Sequence, residues 1–182
     1  MNFKHISFLL ILLLIISGCS TKEKITKKVI NEFENAPTWV KAPKLDKYIN
    51  DVGSSDSSNE SFIVQRDEAI EDAKANLYRK ITTKLSNIFY LIGKKYMQDE
   101  VYLQKIEDAN NELVSNAVNE ARITKLWKSN KNNIYIMASA DISKLKKDLQ
   151  TMVKTSFKEF KSIEAEYRLL LEQGSIDIEL NN

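Results

Sequence analysis

A stripe of apolar side chains between residues 70 and 92 limits the folds open to this chain more than any other feature. Its members lie three or four residues apart, which is the period of an amphipathic helix, and charged residues occupy the opposite side. We therefore predict one long helix that begins at Phe62, is capped by Ser58 or Ser61, and breaks or bends at Gly93. Its buried face comprises Ile70, Ala73, Leu77, Ile81, Leu85, Ile88 and Ile92.

Strand patterns flank this helix on both sides. Residues 47–53 predict a first strand, which Gly53 ends. Residues 122–128 and 134–142 predict a hairpin, because the second segment alternates and residues 129–133 are Ser, Asn and Lys, which favour turns. A looser apolar stripe predicts a second helix between the first helix and the hairpin, formed by Val101, Ile106, Ala109, Leu113, Ala117 and Ala121.

The C-terminal part carries a near-heptad stripe that predicts a last helix of about 30 residues, or about 45 Å. Asp141 or Ser143 would cap this helix and Gly174 would end it. Because the helix would be longer than the sheet, its C-terminal half is a candidate for an oligomer contact. Residues 175–182 form a tail that either adds a short strand or frays. The stripe comprises Leu145, Leu149, Met152, Ser156, Phe160, Ile163, Tyr167 and Leu170.

These patterns together predict an α+β fold in the order β-α-α-β-β-α, with a small antiparallel three-stranded sheet packed against long helices. We place this domain at residues 37–174. It opens on Pro37 and Pro43, which favour an extended path, and Trp39 between them is expected to anchor that path against the core. No internal repeat interrupts this single-domain interpretation.

The first residues resemble an export signal. Lys4 is followed by a run of nine apolar residues, 8–16, which is too short for a membrane span of about 20 residues. The segment ends in Ile16-Ser17-Gly18-Cys19, which resembles a bacterial lipobox. That resemblance implies removal of residues 1–18, a diacylglyceryl group on the sulfur of Cys19 and an acyl chain on its amine. The alternative is a generic signal peptide that happens to contain a cysteine.

Lipidation of Cys19 would anchor the exported chain to a bacterial membrane, since several acyl chains on one residue hold a protein there stably. Ser20, which is not an aspartate, favours the outer membrane, and the periplasmic face is the expected side. Residues 19–36 would form the lipidated start and a tether, whose length of about 60 Å assumes about 3.5 Å per residue. Ile25, Val29 and Phe33 also permit a short amphipathic helix in the tether.

Composition excludes several classes of function. The only histidine is His5 and the only cysteine is Cys19, so the mature chain lacks the residue types of Ser-His, Cys-His and His or Cys metal sites. Removal of residues 1–18 leaves 26 of the 27 basic residues against 25 acidic ones, a net charge of +1. That balance gives no broad basic field for nucleic acid. We therefore expect that the protein is not an enzyme and that it carries no cofactor beyond the lipid.

Two catalytic alternatives survive this exclusion, a Ser-Lys arrangement and a carboxylate pair. Glu68, Glu71 and Asp72 share one side of the predicted long helix through their spacing of three and four residues. They could form a carboxylate site, but a solvated helix face with neighbouring Lys74 and Arg79 is the favoured interpretation.

Several short motifs in this order resemble the LPP-twenty family of bacterial outer-membrane lipoproteins, over about residues 36–150. The motifs behind the lipobox are Ala36-Pro37-Thr38-Trp39-Val40, Tyr48 with Val52-Gly53-Ser54-Ser55, Ala69 with Ala73-Lys74-Ala75-Asn76-Leu77, Ala121 with Leu126-Trp127, and Ile134-Tyr135-Ile136-Met137. The resemblance implies a small antiparallel sheet against long helices and no catalytic residues. Relatives of this domain include flagellar outer-membrane lipoprotein P and a periplasmic flagellar ring protein.

The leading hypothesis is therefore a non-enzymatic envelope lipoprotein with a structural or assembly role, in a flagellar ring or elsewhere in the envelope. Its partners would be the membrane, through the lipid, and a second copy or another envelope protein. Two alternatives stay open at this point: a tethered binding module that regulates a cell-wall enzyme, and a lipoprotein displayed on the cell surface.

Overall fold

The computed structural model describes residues 31–56 and 61–182. This part of the chain contains a three-stranded antiparallel sheet and six helices, which confirms the predicted α+β class. A short 3-10 helix, Lys94–Tyr96, lies between the second and third helices. In chain order the elements are α1 (Thr38–Lys41), β1 (Tyr48–Ser54), α2 (Phe62–Gly93), α3 (Glu100–Asn119), β2 (Arg122–Lys128), β3 (Ile134–Asp141), α4 (Ile142–Ser156), α5 (Ile163–Glu172) and α6 (Ser175–Asn181).

The sheet has the order β1-β3-β2, so the last strand in sequence lies in the middle. Tyr48 pairs with Asp141 at one end of the β1–β3 ladder, and Ser54 pairs with Tyr135 at the other. The predicted hairpin joins β2 to β3, and Asn132 in its turn adopts a positive φ of 70°. A bulge at Thr124 interrupts the β2 register. Because β3 is central, both of its edges are hydrogen-bonded to neighbouring strands.

Helix α2 covers one face of the sheet and runs antiparallel to β1. Ser61 caps it by accepting a hydrogen bond from the amide of Val64. Side chains on its sheet side bond the β1 backbone: Asp72 accepts from the amide of Ser54 at 2.9 Å, and Asn76 donates to the carbonyl of Val52 at 2.8 Å. The predicted stripe is buried along its whole length except for Ile70, which is half-buried.

The opposite face of the sheet carries a smaller apolar cluster. Trp39 and Val40 pack there on Met137, so Trp39 is buried as predicted. The path between the two prolines is not extended, however, because Pro37 precedes the single turn of α1. Proline is well tolerated at a helix start, since its missing amide hydrogen has no partner there in any case. That turn rotates Trp39 and Val40 onto the sheet together.

The predicted face of the second helix is wrong at its beginning. Val101 is 58% exposed, whereas its neighbour Tyr102 is fully buried. The Tyr102 hydroxyl donates to the carbonyl of Phe89 at 2.8 Å, and its ring occupies the space left by Gly93. The sequence pattern favoured the aliphatic residue, but an aromatic ring with a satisfied hydroxyl fills a larger volume in this core. Ala109 and Leu113 are buried as predicted.

The predicted last helix of about 30 residues is also wrong, because the chain up to Gly174 forms two helices, α4 and α5, instead of one. Helix α4 ends at Ser156, and the following turn places Phe157 and Phe160 against Tyr102, with ring centroids 5.7 and 5.2 Å away. Burial of two aromatic rings in this cluster outweighs the backbone hydrogen bonds that a continuous helix would add. The chain therefore folds back onto the domain.

Helices α5 and α6 pack within the same chain rather than forming an extended arm. Ile163 and Tyr167 of α5 are buried, and the Tyr167 hydroxyl donates to the carbonyl of Lys146 at 3.3 Å. The predicted tail, residues 175–182, is mostly helical and begins after Gly174, whose φ is 72°. Ile176 and Leu180 in α6 are buried, so this segment belongs to the domain.

The contact between β1 and α2 leads to a first prediction, for Gly53→Ala. A Cβ at Gly53 would overlap the backbone nitrogen of Ala73 and lie 2.6 Å from the carbonyl oxygen of Ala69. Because backbone cannot move aside as a side chain can, the free energy of unfolding should fall by about 3 kcal/mol or more in urea titration. The control is Gly174→Ala, where only the positive φ is strained, at about 1–2 kcal/mol. Equal losses of unfolding free energy in the two variants would contradict the close packing of Gly53 on α2.

A second prediction separates the observed core from the one expected from the stripes. Phe157→Ala removes a buried ring and should lower the free energy of unfolding by about 3–5 kcal/mol. Val101→Ala should change it by less than about 0.5 kcal/mol, since Val101 is exposed. Urea denaturation followed by circular dichroism measures both values. A larger loss for Val101→Ala than for Phe157→Ala would restore the sequence-based assignment of α3.

Candidate functional site

The residues predicted to carry the lipid, Cys19 with Ile16, Ser17 and Gly18, lie outside the described residues. The structure describes instead the place where the segment after Cys19 meets the domain. Residues 31–47, which we call the N-terminal strap, cross the face of the sheet opposite α2. The strap begins beside the β2–β3 turn and ends where the carbonyl of Lys47 accepts from the amide of Ile142 at 3.1 Å.

Glu32 fixes the beginning of the strap. Its Oε1 accepts hydrogen bonds from the Tyr135 hydroxyl at 2.9 Å and from the side-chain amide of Asn133, and its Oε2 lies 3.8 Å from the Lys131 ammonium. The Ser129 hydroxyl lies 3.4 Å from the same Oε1. The β2–β3 turn thus presents several donors to a single carboxylate, which is a strong arrangement for holding one side chain.

The ionisation of Glu32 and Tyr135 follows from this arrangement. Burial opposes the charge on Glu32, but the hydrogen bonds from Tyr135 and Asn133, with Lys131, hold its pKa below the ordinary value of 4.5. Burial, followed by the hydrogen bond to Glu32, raises the pKa of Tyr135 to about 12. Glu32 is therefore an ionised acceptor and Tyr135 a neutral donor at neutral pH.

Phe33 adds an apolar contact next to this carboxylate. Its ring stacks near Trp127 at a centroid distance of 6.5 Å and meets Tyr135 edge-on at 5.7 Å. The Lys41 ammonium lies 5.5 Å from the centroid of the Phe33 ring, which is cation-π geometry. The strap is thus held by a carboxylate and an aromatic residue in succession.

The predicted tether boundary at residue 36 is therefore too late. Residues 31–36 belong to the compact unit Asn31–Asn182, because Glu32 and Phe33 bind the hairpin. The connector between Cys19 and Asn31 then spans twelve residue steps, or about 40 Å when fully stretched. Sequence reasoning missed these contacts because the donors to Glu32 lie about a hundred residues away. The spacing of Ile25, Val29 and Phe33 was the only local signal.

A groove of about 590 Å³ lies between the strap, the beginning of β1 and the C-terminal end of α6. Lys80 and Lys84 line it. Lys80 donates to the carbonyl of Asn50 at 2.8 Å, and Lys84 donates to the carbonyl of Glu179 at 2.8 Å. Burial lowers the pKa of Lys84, an effect that Glu179 partly offsets. Both ammonium groups brace backbone carbonyls, and no carboxylate pair or nucleophile faces them in the lining.

The three carboxylates considered as a catalytic alternative do not converge in a cleft. Asp72 accepts a hydrogen bond from the amide of Ser54, at 2.9 Å, and thereby positions α2 on β1. Glu68 and Glu71 are exposed on the helix surface. Glu68 and Glu71 thus lie on the solvated helix face that the sequence favoured, whereas Asp72 is half-buried against β1.

Residues 31–56 and 61–182 contain neither a metal-binding group nor a helix that could span a membrane. Within these residues no group of three or more histidine, cysteine, aspartate or glutamate side chains could hold a metal ion. Among the helices described there, none has the length and apolar character needed to cross a membrane.

Comparison with protein-family models, with curated proteins and with solved structures finds no match for this chain.

The strap leads to a third prediction, on its response to acid. The lowered pKa of Glu32 means that ionisation favours the docked strap, so this stabilisation is present above pH 4.5 and is lost as the pH falls through the lowered value. Acid titration from about pH 6 to about pH 3 should therefore release Phe33 from Trp127 and change tryptophan fluorescence. Glu32→Gln should remove this transition, and Glu34→Gln, on an exposed strap residue, should retain it. An unchanged transition in Glu32→Gln would contradict the assignment.

Proposed function

We propose that this protein is a non-enzymatic lipoprotein of the bacterial outer membrane, anchored through Cys19, with its domain on the periplasmic side and a structural or assembly role in the envelope. The observation that carries the proposal is the sequence Ile16-Ser17-Gly18-Cys19 directly after a nine-residue apolar run. A diacylglyceryl group and an N-acyl chain on Cys19 would be its only prosthetic groups. Export would be followed by cleavage before Cys19.

The chemistry of the mature chain supports a role without catalysis. It contains no histidine and no thiol once Cys19 is lipidated, so catalysis that depends on an imidazole or a thiolate is ruled out. The described surface groove is braced by lysines that bond backbone carbonyls rather than by groups arranged for reaction. A near-neutral charge also argues against nucleic acid as a partner.

The N-terminal strap supports a domain held near the membrane. Because residues 31–36 are bound to the hairpin, the free connector reaches about 40 Å instead of about 60 Å. A shorter connector favours an assembly at the membrane over a module that must reach a cell-wall enzyme far from it. Flagellar association is the narrower form of this proposal, and it rests on the resemblance to the LPP-twenty family.

A fourth prediction tests the anchor and the role together. In growing cells, wild-type protein should incorporate labelled palmitate and fractionate with the outer membrane, and Cys19→Ala should do neither, because its side chain has no sulfur to acylate. Ser20→Ala is the matched control and should behave as wild type. A labelled Cys19→Ala protein would refute the anchor.

The assembly role is tested in an in-frame deletion strain and with the protein extracted in mild detergent. Loss of swimming in soft agar, restored by wild type and not by Cys19→Ala, is expected for a flagellar role. Normal swimming would remove that narrower form and leave an envelope assembly, for which the extracted protein should migrate as a complex on native gels. If the extracted protein migrates only as a monomer, at a concentration that matches its density in the membrane, the assembly role is contradicted.

A further inference from the structure

The connector from Cys19 meets the domain at one end of the sheet, which we call the hairpin end. It is formed by the β2–β3 turn, residues 129–133. The side-chain amide of Asn130 lies 3.5 Å from the carbonyl of Asn31, and the Lys131 ammonium lies 3.8 Å from Glu32. Asn31 and Glu32 are thus held at the hairpin end, and they are the described residues nearest to Cys19 in the sequence.

The long helix α2 begins at the same end. Ser55, directly after β1, donates its amide to the carbonyl of Ile134 at 2.9 Å and accepts from the amide of Ile134 at 3.0 Å. Asp72 lies beside Ser54, and Lys80 lies further back beside Asn50. The ten residues from Phe62 to Asp72 therefore carry the start of α2 about 15 Å beyond the end of β1, in the direction of the turn.

The start of α2 carries three consecutive apolar residues that are exposed. Phe62 is 50% exposed, Ile63 is 61% exposed and Val64 is 41% exposed. Successive helical residues point about 100° apart, so these three side chains spread over about 200° of the helix circumference, and the buried Gln65 lies on the remaining side. Ser61 caps this turn through the amide of Val64, at 3.4 Å, so the tip is helical and its side chains are directed outward.

The position of this tip favours a bilayer as its occupant. A stable protein interface buries about 800 Å² on each side, which three side chains at a tip do not supply, whereas a bilayer interface requires no matching shape. The connector of about 40 Å keeps the hairpin end within reach of the membrane that holds the lipid. Lys128 is exposed at the same end and suits an anionic headgroup.

We propose that Phe62, Ile63 and Val64 insert into the headgroup region of the membrane that carries the Cys19 lipid and so hold the domain upright, with its hairpin end down. The proposal rests on the lipid anchor of the proposed function. It adds a second contact, which fixes the orientation of the domain and thereby directs the groove and helix α6 away from the bilayer.

The chain offers a matched pair of positions for the test. Ile63 is 61% exposed at the hairpin end, and Ile178 is 60% exposed on α6. The neighbour of Ile178, Glu179, binds Lys84, which lies about 33 Å from Phe62 along α2. Since Cys19 is acylated in the mature protein, Ile63→Cys and Ile178→Cys each provide one thiol for a nitrobenzoxadiazole probe. The lipidated variants are reconstituted into vesicles of phosphatidylethanolamine and phosphatidylglycerol that contain nitroxide-labelled lipid.

The expected result is flotation of both variants with the vesicles and quenching of the probe at position 63 by about twofold or more, with little change at position 178, because only the inserted tip reaches the nitroxides. Phe62→Cys provides a second inserted position, and circular dichroism verifies that each variant is folded. Flotation without quenching at position 63, or equal quenching at both positions, would overturn the inference and leave the anchor intact.

Two other results of the vesicle experiment would each reject the inference for a different reason. Failure of both variants to float would refute the lipid anchor, and the docking inference would fall with it. Self-quenching between labelled copies at position 63, without quenching by lipid, would assign the tip to a second copy of the chain and overturn the bilayer as its occupant.

Discussion

The close approach of α2 to β1 at Gly53 is the constraint on which the rest of the described structure depends. The absence of a side chain lets the strand lie directly on the backbone of Ala69 and Ala73. Helix and strand then stay in a fixed register, because Asp72, Asn76 and Lys80 in turn bond the β1 backbone from Ser54 back to Asn50. Since β3 pairs with β1 across its full length, the position of the hairpin, and with it the binding surface for the strap, follows from this one contact.

A second constraint acts at the other end of α2, where several aromatic rings meet. Tyr102 fills the space over Gly93, and Phe157 and Phe160 pack against it. This cluster divides the C-terminal region into three helices and folds α5 and α6 back, so that the carbonyl of Glu179 meets the buried Lys84. A region that could have extended outward as an oligomer arm thus closes the core.

The N-terminal strap connects the fold to the proposed anchoring. Its carboxylate and aromatic contacts lie at the hairpin end, where α2 also starts. The strap is therefore attached to the sheet through the side chains of Glu32 and Phe33. The same arrangement places an exposed apolar helix tip beside the point at which the connector arrives. Anchoring and orientation would then depend on two neighbouring contacts rather than on the lipid alone.

The sequence by itself determined the α+β class, the order of its main elements, the face of α2 that is buried and the candidate lipidation residue. These depend on periodicity and on local residue chemistry, which lie within a short window of sequence. Only the tertiary structure decided that Tyr102 rather than Val101 is buried, that the last stripe breaks after Ser156, and that Glu32 and Phe33 bind the hairpin. Each of these depends on partners far away in the chain: Phe157 and Phe160 for Tyr102, and Tyr135 for Glu32. Packing of distant side chains can override a local pattern, because burying a large ring contributes more free energy than continuing a helix by a few residues.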